Sequence, residues 1–508
     1  MKGGGSVSAH TEGQDVTMGK LFEKISDPAH ILAAFYAIRE KYVNPELELY
    51  EPYIPGIDGI DLNLFDKHLD DNIALCRKVL LGEEDFHPQI LRLIPKDEPG
   101  EFREVFVQSL RDKVVQKAIA MPLAEILERH YSSNLYSYRK KRHFSNKEAA
   151  RKIRAHLKQS GGQAHVFRTD IPEYTDNLNQ AKLLSLFEKL IPGENEALGL
   201  ITRFMHQRCY QRGQLVCRLV GIPSGSPLTA ICANLYLNDL DREMFRLSID
   251  YYRYGDDMLA MAATAEELQH ARETIANKLA ELGLGISEEK TEIAAPGEPF
   301  EYLGYRFEGP RVSVAHTSLE KYRRWVRLQL PRQRYRRMPN SSAGERRKLL
   351  KHIIVEMNVT TEKNLRQLPW IRSFPVLDTD DDLRQLDAFI KDRMRLCVLR
   401  RNTPQARKLL PDKWFRELGY KSLVGVFHRI TRRRPLGPYA GWRLYYGTDY
   451  EAYLDKHQKL SPLRRAWENV KFHWRFLRAS LNSGTLGDRR RSARGDSDAS
   501  PDSPSGRS

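Results

Sequence analysis

Apolar positions recur at three-to-four spacing in Ile31, Leu32, Phe35 and Ile38, and again in Leu64, Leu69, Ile73 and Leu75, so residues 20–95 read largely as helix. The stretch PYIPGIDGID (Pro52–Asp61) interrupts them as a loop, by its Pro, Gly and Asp content. Between residues 91 and 107 two β-like runs, LRLIP and REVFV, flank KDEPGE and predict a hairpin. The pattern is helical again over Asp112–Tyr131, predicts a strand over Ala164–Ile171, and returns to helices over Asn179–Arg208. A strand (LVCRLVGIP) follows Gly213, then a Gly-Ser-Pro loop and a helix to about Arg246. Asp250–Ala262 reads as a hairpin, with a helix after it to Leu282 and short strands near Ile293 and over Tyr302–Phe307. Leu319, Tyr322, Val326 and Leu330 then mark a helix with one packed face. The class is α+β in non-alternating order, which excludes a Rossmann or barrel repeat.

Composition narrows the class further. A chain of 508 residues with 41% hydrophobic content can bury a large core, so wholesale disorder is excluded. No run of about 18 apolar residues occurs, and Met1–Gly19 lacks the apolar core of a secretory signal. Cys76, Cys209, Cys217, Cys232 and Cys397 are scattered and form no CxxC pair, so a disulfide frame or zinc ribbon is not expected. These features predict a cytoplasmic protein without a membrane partner.

Charge divides the chain. Lys+Arg number 82 against 66 Asp+Glu, a net of 82 − 66 = +16. Residues 1–310 hold 38 basic and 46 acidic side chains, a net of −8, and residues 311–508 hold 44 and 20, a net of +24. The basic half begins with a stretch containing Arg323, Arg324, Arg327 and Arg334, with Tyr322, Trp325 and Tyr335 interleaved. Guanidinium groups suit phosphates, and interleaved aromatics can stack on bases. Residues 391–480 add a second basic region, rich in Trp and Tyr and predicted helical. Residues 1–19 and 483–508 are read as disordered.

The sharpest chemical signal is YYRYGDDMLAMA, where Asp256 and Asp257 follow Gly255 between two apolar runs. Such a hairpin presents adjacent carboxylates at its tip. Adjacent anions call for a cation, and hard divalent ions take oxygen ligands. Asp170, at the end of the strand HVFRTD, is a third carboxylate in an apolar context. Three carboxylates from two strand ends can serve in-line phosphoryl transfer.

At this point the residues resemble a family, the prokaryotic reverse transcriptases of the group II intron-like type. The resemblance rests on ordered blocks: GIDGID, LRLIPKDEPGEFR, RDKVVQKAI, LYSYRKKRH, RTDIPEYTDNL, GIPSGSPLTAICANLYLNDLD, YRYGDD, LGLGISEEKTEI and FEYLGYRF. It covers residues 56–310 and implies a right-hand polymerase: fingers, a palm with an antiparallel sheet, and a helical thumb, followed by a basic helical C-terminal extension. The implied limits are 20–163 for N-terminal helices and fingers, 164–310 for the palm with part of the fingers, 311–390 for the thumb and 391–482 for the extension.

The implied activity is RNA-directed DNA polymerisation, a nucleotidyl transfer using two Mg²⁺ ions, with Mn²⁺ as a substitute. Asp170, Asp256, Asp257 and the Ile171 carbonyl would hold metal, and Lys290 would protonate pyrophosphate. Lys96 and Arg103 would clamp the triphosphate, with Tyr174, Thr175, Ser224, Gly225 and Asn234 around the nucleotide. Tyr302, Leu303, Gly304 and Tyr305 would grip the primer, and Arg323, Arg324, Arg327 and Arg334 would bind RNA. Implied partners are an RNA template, a nucleic-acid primer, nucleoside triphosphates and a cognate non-coding RNA. No HNH-like His/Cys cluster, retron VTG segment or diversity-generating loop is seen. By elimination, the expected setting is a stand-alone enzyme of antiviral defence.

The sequence also departs from the family. The second aromatic expected in the first aspartate block is Thr175, and the Gln expected before the loop glycine is Ser224. Ser224–Asn234 (SGSPLTAICAN) is similar to viral RNA-dependent RNA polymerases, in which such residues read the ribose 2′-OH with an aspartate placed like Asp176. An RNA-synthesising or template-independent polymerase, or an intron maturase-type RNA-binding protein, is therefore the alternative expectation.

Overall fold

The computed structural model describes residues 19–44, 49–50, 53–95, 102–139, 144–247, 249–331, 341–362, 370–400 and 403–432. These belong to one compact unit, Met1–Arg433. The expected disorder of the two ends, the extension beyond residue 433, Lys96, Arg334 and Tyr335 lie outside the described residues.

Among the described residues the strands are, in chain order, β1 (Val43–Asn44), β2 (Leu49–Tyr50), β3 (Gln89–Pro95), β4 (Phe102–Val107), β5 (His165–Thr169), β6 (Arg208–Gln211), β7 (Gln214–Cys217), β8 (Asp250–Tyr254), β9 (Asp257–Ala262), β10 (Glu292–Ala294), β11 (Phe300–Tyr302), β12 (Tyr305–Glu308) and β13 (Arg311–Val314). The strands β4-β3-β6-β7 form the fingers sheet, in which only β3 and β6 run parallel. The antiparallel palm sheet has the order β10-β5-β9-β8. A third sheet, β11-β12-β13, follows it.

The palm sheet separates two cores. Successive strand residues face opposite sides, so Phe167, Tyr251, Met258, Ala260 and Ala262 enter the core built with the N-terminal helices. Val166, Tyr252, Leu259 and Met261 enter the other, with helix Asn146–Gln159 and the helices after residue 315. Burial on both faces explains why these strands read as continuous apolar runs. Helix Leu110–Leu127 lies deep in the first core, and its first turn is capped by the Ser109 hydroxyl, which accepts from the Asp112 N–H.

Helix His316–Gln329 forms as its apolar spacing predicts, burying Leu319, Tyr322 and Val326. Its aromatics serve packing instead of base stacking: Tyr322 is 7% exposed and stacks on Trp370 at 4.5 Å and on Trp325 at 5.5 Å. The expected boundary at 390/391 falls inside helix Asp381–Leu399, which buries Ile390, Met394, Cys397 and Val398 in one face.

One expected element is corrected. Of LVCRLVGIP only Leu215, Val216 and Cys217 are strand, as the end of β7. After it, the Gln180 amide donates to the carbonyls of Arg218 and Gly221. Gly221, at φ +74°, comes so close to Asp176 that a Cβ there would lie 2.3 Å from the Asp176 carbonyl oxygen. Backbone thus packs on backbone, and Leu219 and Val220 remain exposed.

Candidate active site

Three strand ends deliver the predicted carboxylates. Thr169 pairs with Met258 across β5 and β9, so Asp170 and Asp257, the next residues on each strand, lie at the same end of the palm sheet. The β8–β9 turn is tight, because Tyr254 pairs with Asp257 around Gly255 and Asp256. Gly255 has φ +71° and Asp256 is not left-handed, the pattern of a type II′ turn led by glycine.

Asp170 Oδ2 accepts from Lys290 Nζ at 2.5 Å, while its Oδ1 is buried without a partner. The hydrogen bond to Asp170 raises the Lys290 ammonium above its ordinary range. Protein mass around the turn desolvates the Asp256 carboxyl and, with the Asp170 charge, raises it above the usual carboxylate range; Lys290 and Arg103 act in opposition. Asp257 is raised first by desolvation, opposed by Arg168, whose Nη2 lies 3.4 Å from Asp257 Oδ1.

Mutual repulsion and an orphaned buried oxygen are what a bound cation relieves, so the donor set fits a hard divalent ion. Among the described residues no three His, Cys, Asp or Glu side chains form a metal cage by themselves.

The other predicted residues divide into two groups. Arg103, on β4, brings its charge to Asp256. Gly225 has φ +87°, and Ser224, beside it, donates its hydroxyl to the Glu104 carbonyl at 2.9 Å, which ties the loop to the fingers sheet. Leu303 and Gly304 form the β11–β12 turn, both with positive φ, as in a type I′ turn.

The structure directs most of the rest inward, the arginines of helix His316–Gln329 excepted. Ile171 buries its side chain, so only its backbone can serve the site. Tyr174 is buried and donates its hydroxyl to the Ala233 carbonyl at 2.6 Å. Thr175 is half-buried and its carbonyl accepts from the Ile222 N–H. Asn234 is 1% exposed, and its amide exchanges bonds with the Ser137 hydroxyl and carbonyl. Tyr302 and Tyr305 are buried, donating to the Tyr252 and Ser373 carbonyls. On the helix His316–Gln329, Arg324 and Arg327 are exposed, and Arg323 pairs with Glu320 at 2.5 Å.

Several contributors escape the motif reading. Arg253, within YYRYGDD, is fully buried and paired with Asp241; a lone Arg inside an apolar strand was the available signal. Arg218 pairs with Asp176 at 3.0 Å and lies over the Phe106 ring. Tyr138 is exposed, has φ +54°, and lies near enough for the Asp256 charge to add to the desolvation that raises its phenol. Ser226 donates to Gln116, which donates to Gln207, and Gln207 in turn donates to Asp112. This buried chain ties the loop to the core helix, and nothing in the motif pattern announces it.

Carboxylates at the end of an antiparallel palm, a lysine on one of them and a fingers sheet above them define a right-hand nucleotidyltransferase. Residues 94–307 match the family model described as "Reverse transcriptase (RNA-dependent DNA polymerase)". The chain is 23% identical over 292 residues to Protein YkfC of Escherichia coli (strain K12), covering 50% of this chain and 76% of that protein. It is 24% identical over 221 residues to the group II intron-encoded protein LtrA of Lactococcus lactis subsp. cremoris, covering 43% of this chain and 35% of LtrA. It thus spans about a third of LtrA's length. A solved apo telomerase from Candida tropicalis aligns with TM-score 0.41 and 14% identity, over 73% of this chain and 67% of that one. Residues 94–307 therefore carry a reverse transcriptase domain, and the proteins it is similar to include one encoded by a group II intron.

Proposed function

We propose that the protein extends a nucleic-acid primer with deoxynucleotides on an RNA template. The observation that carries this is the meeting of Asp170, Asp256, Asp257 and Lys290 at one end of the palm sheet. Two Mg²⁺ ions, or Mn²⁺ in their place, held by these carboxylates and the Ile171 carbonyl, would make the primer hydroxyl acidic and hold the leaving pyrophosphate. Lys290 would supply the proton that pyrophosphate takes. Arg103, with Lys96 of the same hairpin, would clamp the triphosphate, an arginine fork beside a lysine point charge. The Leu303–Gly304 turn would meet the primer end. The division into fingers, palm and thumb is part of this reading.

Deoxynucleotide use is supported by what the polar groups near the sugar position already do. Asp176 is paired with Arg218, the Thr229 hydroxyl donates to the Pro223 carbonyl, and the Ser224 hydroxyl and Asn234 amide are engaged. The Ser224 and Thr229 oxygens keep acceptor lone pairs, so the support comes chiefly from Asn234, which is buried and would have to give up its bonds to Ser137 to meet a 2′-OH. Primer extension with Mg²⁺, an RNA template–primer and labelled dNTPs or NTPs tests the proposal. We expect dNTP incorporation, abolished in Asp256→Asn with RNA binding retained; incorporation of NTPs alone would establish the RNA-synthesising alternative.

The net of +24 over residues 311–508 supports a structured cognate RNA as partner. We place the enzyme in cytoplasmic antiviral defence. Phage plaque counts on cells expressing wild type or Asp256→Asn test that setting, and equal counts would refute it.

A further inference from the structure

Arg253 sits in β8, two residues before the turn tip, with no exposed surface. Its Nε and Nη2 donate to the two oxygens of Asp241, on helix Asn238–Arg246, at 2.7 and 2.6 Å. Its Nη1 donates to the Gly255 carbonyl at 2.8 Å. Nη2 also reaches the Asn234 carbonyl at 3.4 Å. The backbone of Arg253 is fixed as well: its N–H donates to the Asn134 carbonyl, and its carbonyl accepts from the Tyr136 N–H.

A fully buried ion pair is a poor source of stability, because desolvation offsets the attraction and an apolar pair of similar volume does as well or better. What an apolar pair cannot do is hold a carbonyl. The Gly255 carbonyl belongs to the peptide that joins Gly255 to Asp256. That peptide follows a left-handed glycine, the backbone conformation with the fewest steric restraints. The guanidinium is a rigid planar fork, so its two bonds to Asp241 fix the direction of the third donor.

We propose that Arg253, oriented by Asp241, is a positioning residue that locks the Gly255–Asp256 peptide and so aims the Asp256 carboxylate. The same guanidinium ties this turn to Asn234, on the helix that follows the Ser224–Gly225 loop. The metal-facing turn and the nucleotide-facing loop therefore share one buried anchor. This deepens the polymerase reading and rests on it.

Arg253→Met alone would leave a buried unpaired carboxylate, so the test uses two other variants. Arg253→Met/Asp241→Leu replaces the pair with apolar volume, and Arg253→Lys keeps the charge but loses the fork. Amide hydrogen exchange at Gly255–Asp257 is read beside melting temperature, primer-extension kinetics and Mg²⁺ dependence. In each folded variant we expect turn amides to exchange at least about tenfold faster, with global protection retained. We expect kcat to fall about 10- to 100-fold while the nucleotide KM stays within about twofold, and the half-saturating Mg²⁺ concentration to rise. Wild-type exchange and kcat in a folded variant would overturn the proposal. Should the double variant fail to fold, Arg253→Lys decides. If the wild-type protein polymerises nothing, the polymerase reading fails, and the exchange data still decide whether Arg253 holds the turn.

Discussion

Replacing Gly221 with alanine is the most discriminating structural perturbation the fold offers. Gly221 has φ +74°, which for an alanine costs about 1–2 kcal/mol. The new methyl would also meet the Asp176 carbonyl oxygen at 2.3 Å, a backbone atom that cannot swing away. Overpacking of this kind adds about 1–3 kcal/mol, for a total of about 2–5 kcal/mol. Gly225 supplies the control. It has φ +87°, but its nearest neighbours, Phe106 O and Val105 Cγ1, are 3.7 Å away, ordinary contact. Gly225→Ala should therefore cost only the backbone penalty of about 1–2 kcal/mol. Urea unfolding of both variants measures the difference, read from midpoints at an unchanged slope. Gly221→Ala should also raise the nucleotide KM, because Gly221 anchors the segment leading into Ser224. Equal destabilisation by the two substitutions would refute the close backbone contact.

Three other outcomes follow from the geometry. Arg212 (φ +52°) precedes Gly213 (φ +80°) in the β6–β7 turn, so Arg212→Asn should raise unfolding free energy by about 0.5–1 kcal/mol, checked by denaturant titration. His156 lies 2.6 Å from Asp250, and that hydrogen bond raises the imidazole above 6.5 and lowers the carboxyl below 3.8. The His156 contribution is complete below 6.5 and lost as pH rises through its folded value, and the Asp250 contribution is complete above 3.8 and lost as pH falls through its folded value. Asp250→Asn should thus destabilise near pH 5 by up to about 1 kcal/mol and much less at pH 8.5, a partly exposed pair being screened by water; a pH-independent effect would refute the pairing. Arg324→Glu and Arg327→Glu should each weaken RNA binding and flatten the log–log salt slope by about one, and an unchanged slope would remove both from the phosphate contacts.

The palm was legible because its strands are short continuous apolar runs bounded by turn residues and its turn carries Gly255. The carboxylate cluster was legible because charges at the ends of apolar strands demand a reason. LVCRLVGIP was misread because a run of apolar residues looks alike whether it enters a ladder or packs its backbone against Asp176. Tyr322, Tyr302 and Tyr305 looked available to nucleic acid because an aromatic in a pattern does not disclose which side its partners take. Trp370, Tyr252 and Ser373, each far away in the chain, supply those partners. The bonds of Arg218 and Gln207 to Asp176 and Asp112 span 42 and 95 residues, which no local window covers, and Arg253 meets Asp241 only because a strand and a helix pack together.

The position of the palm sheet between two cores has a consequence for how its register is chosen. Along β9, Met258, Ala260 and Ala262 meet one core while Leu259 and Met261 meet the other. A slip by one residue would exchange these two sets, and since both are apolar, polarity would not punish it. Volume must do so instead, with alanines at 260 and 262 on one side and the long Leu259 and Met261 on the other. The alignment that puts Asp257 beside Asp170 is therefore chosen by shape, and a palm variant that equalises the two sides should lose its register before it loses its fold.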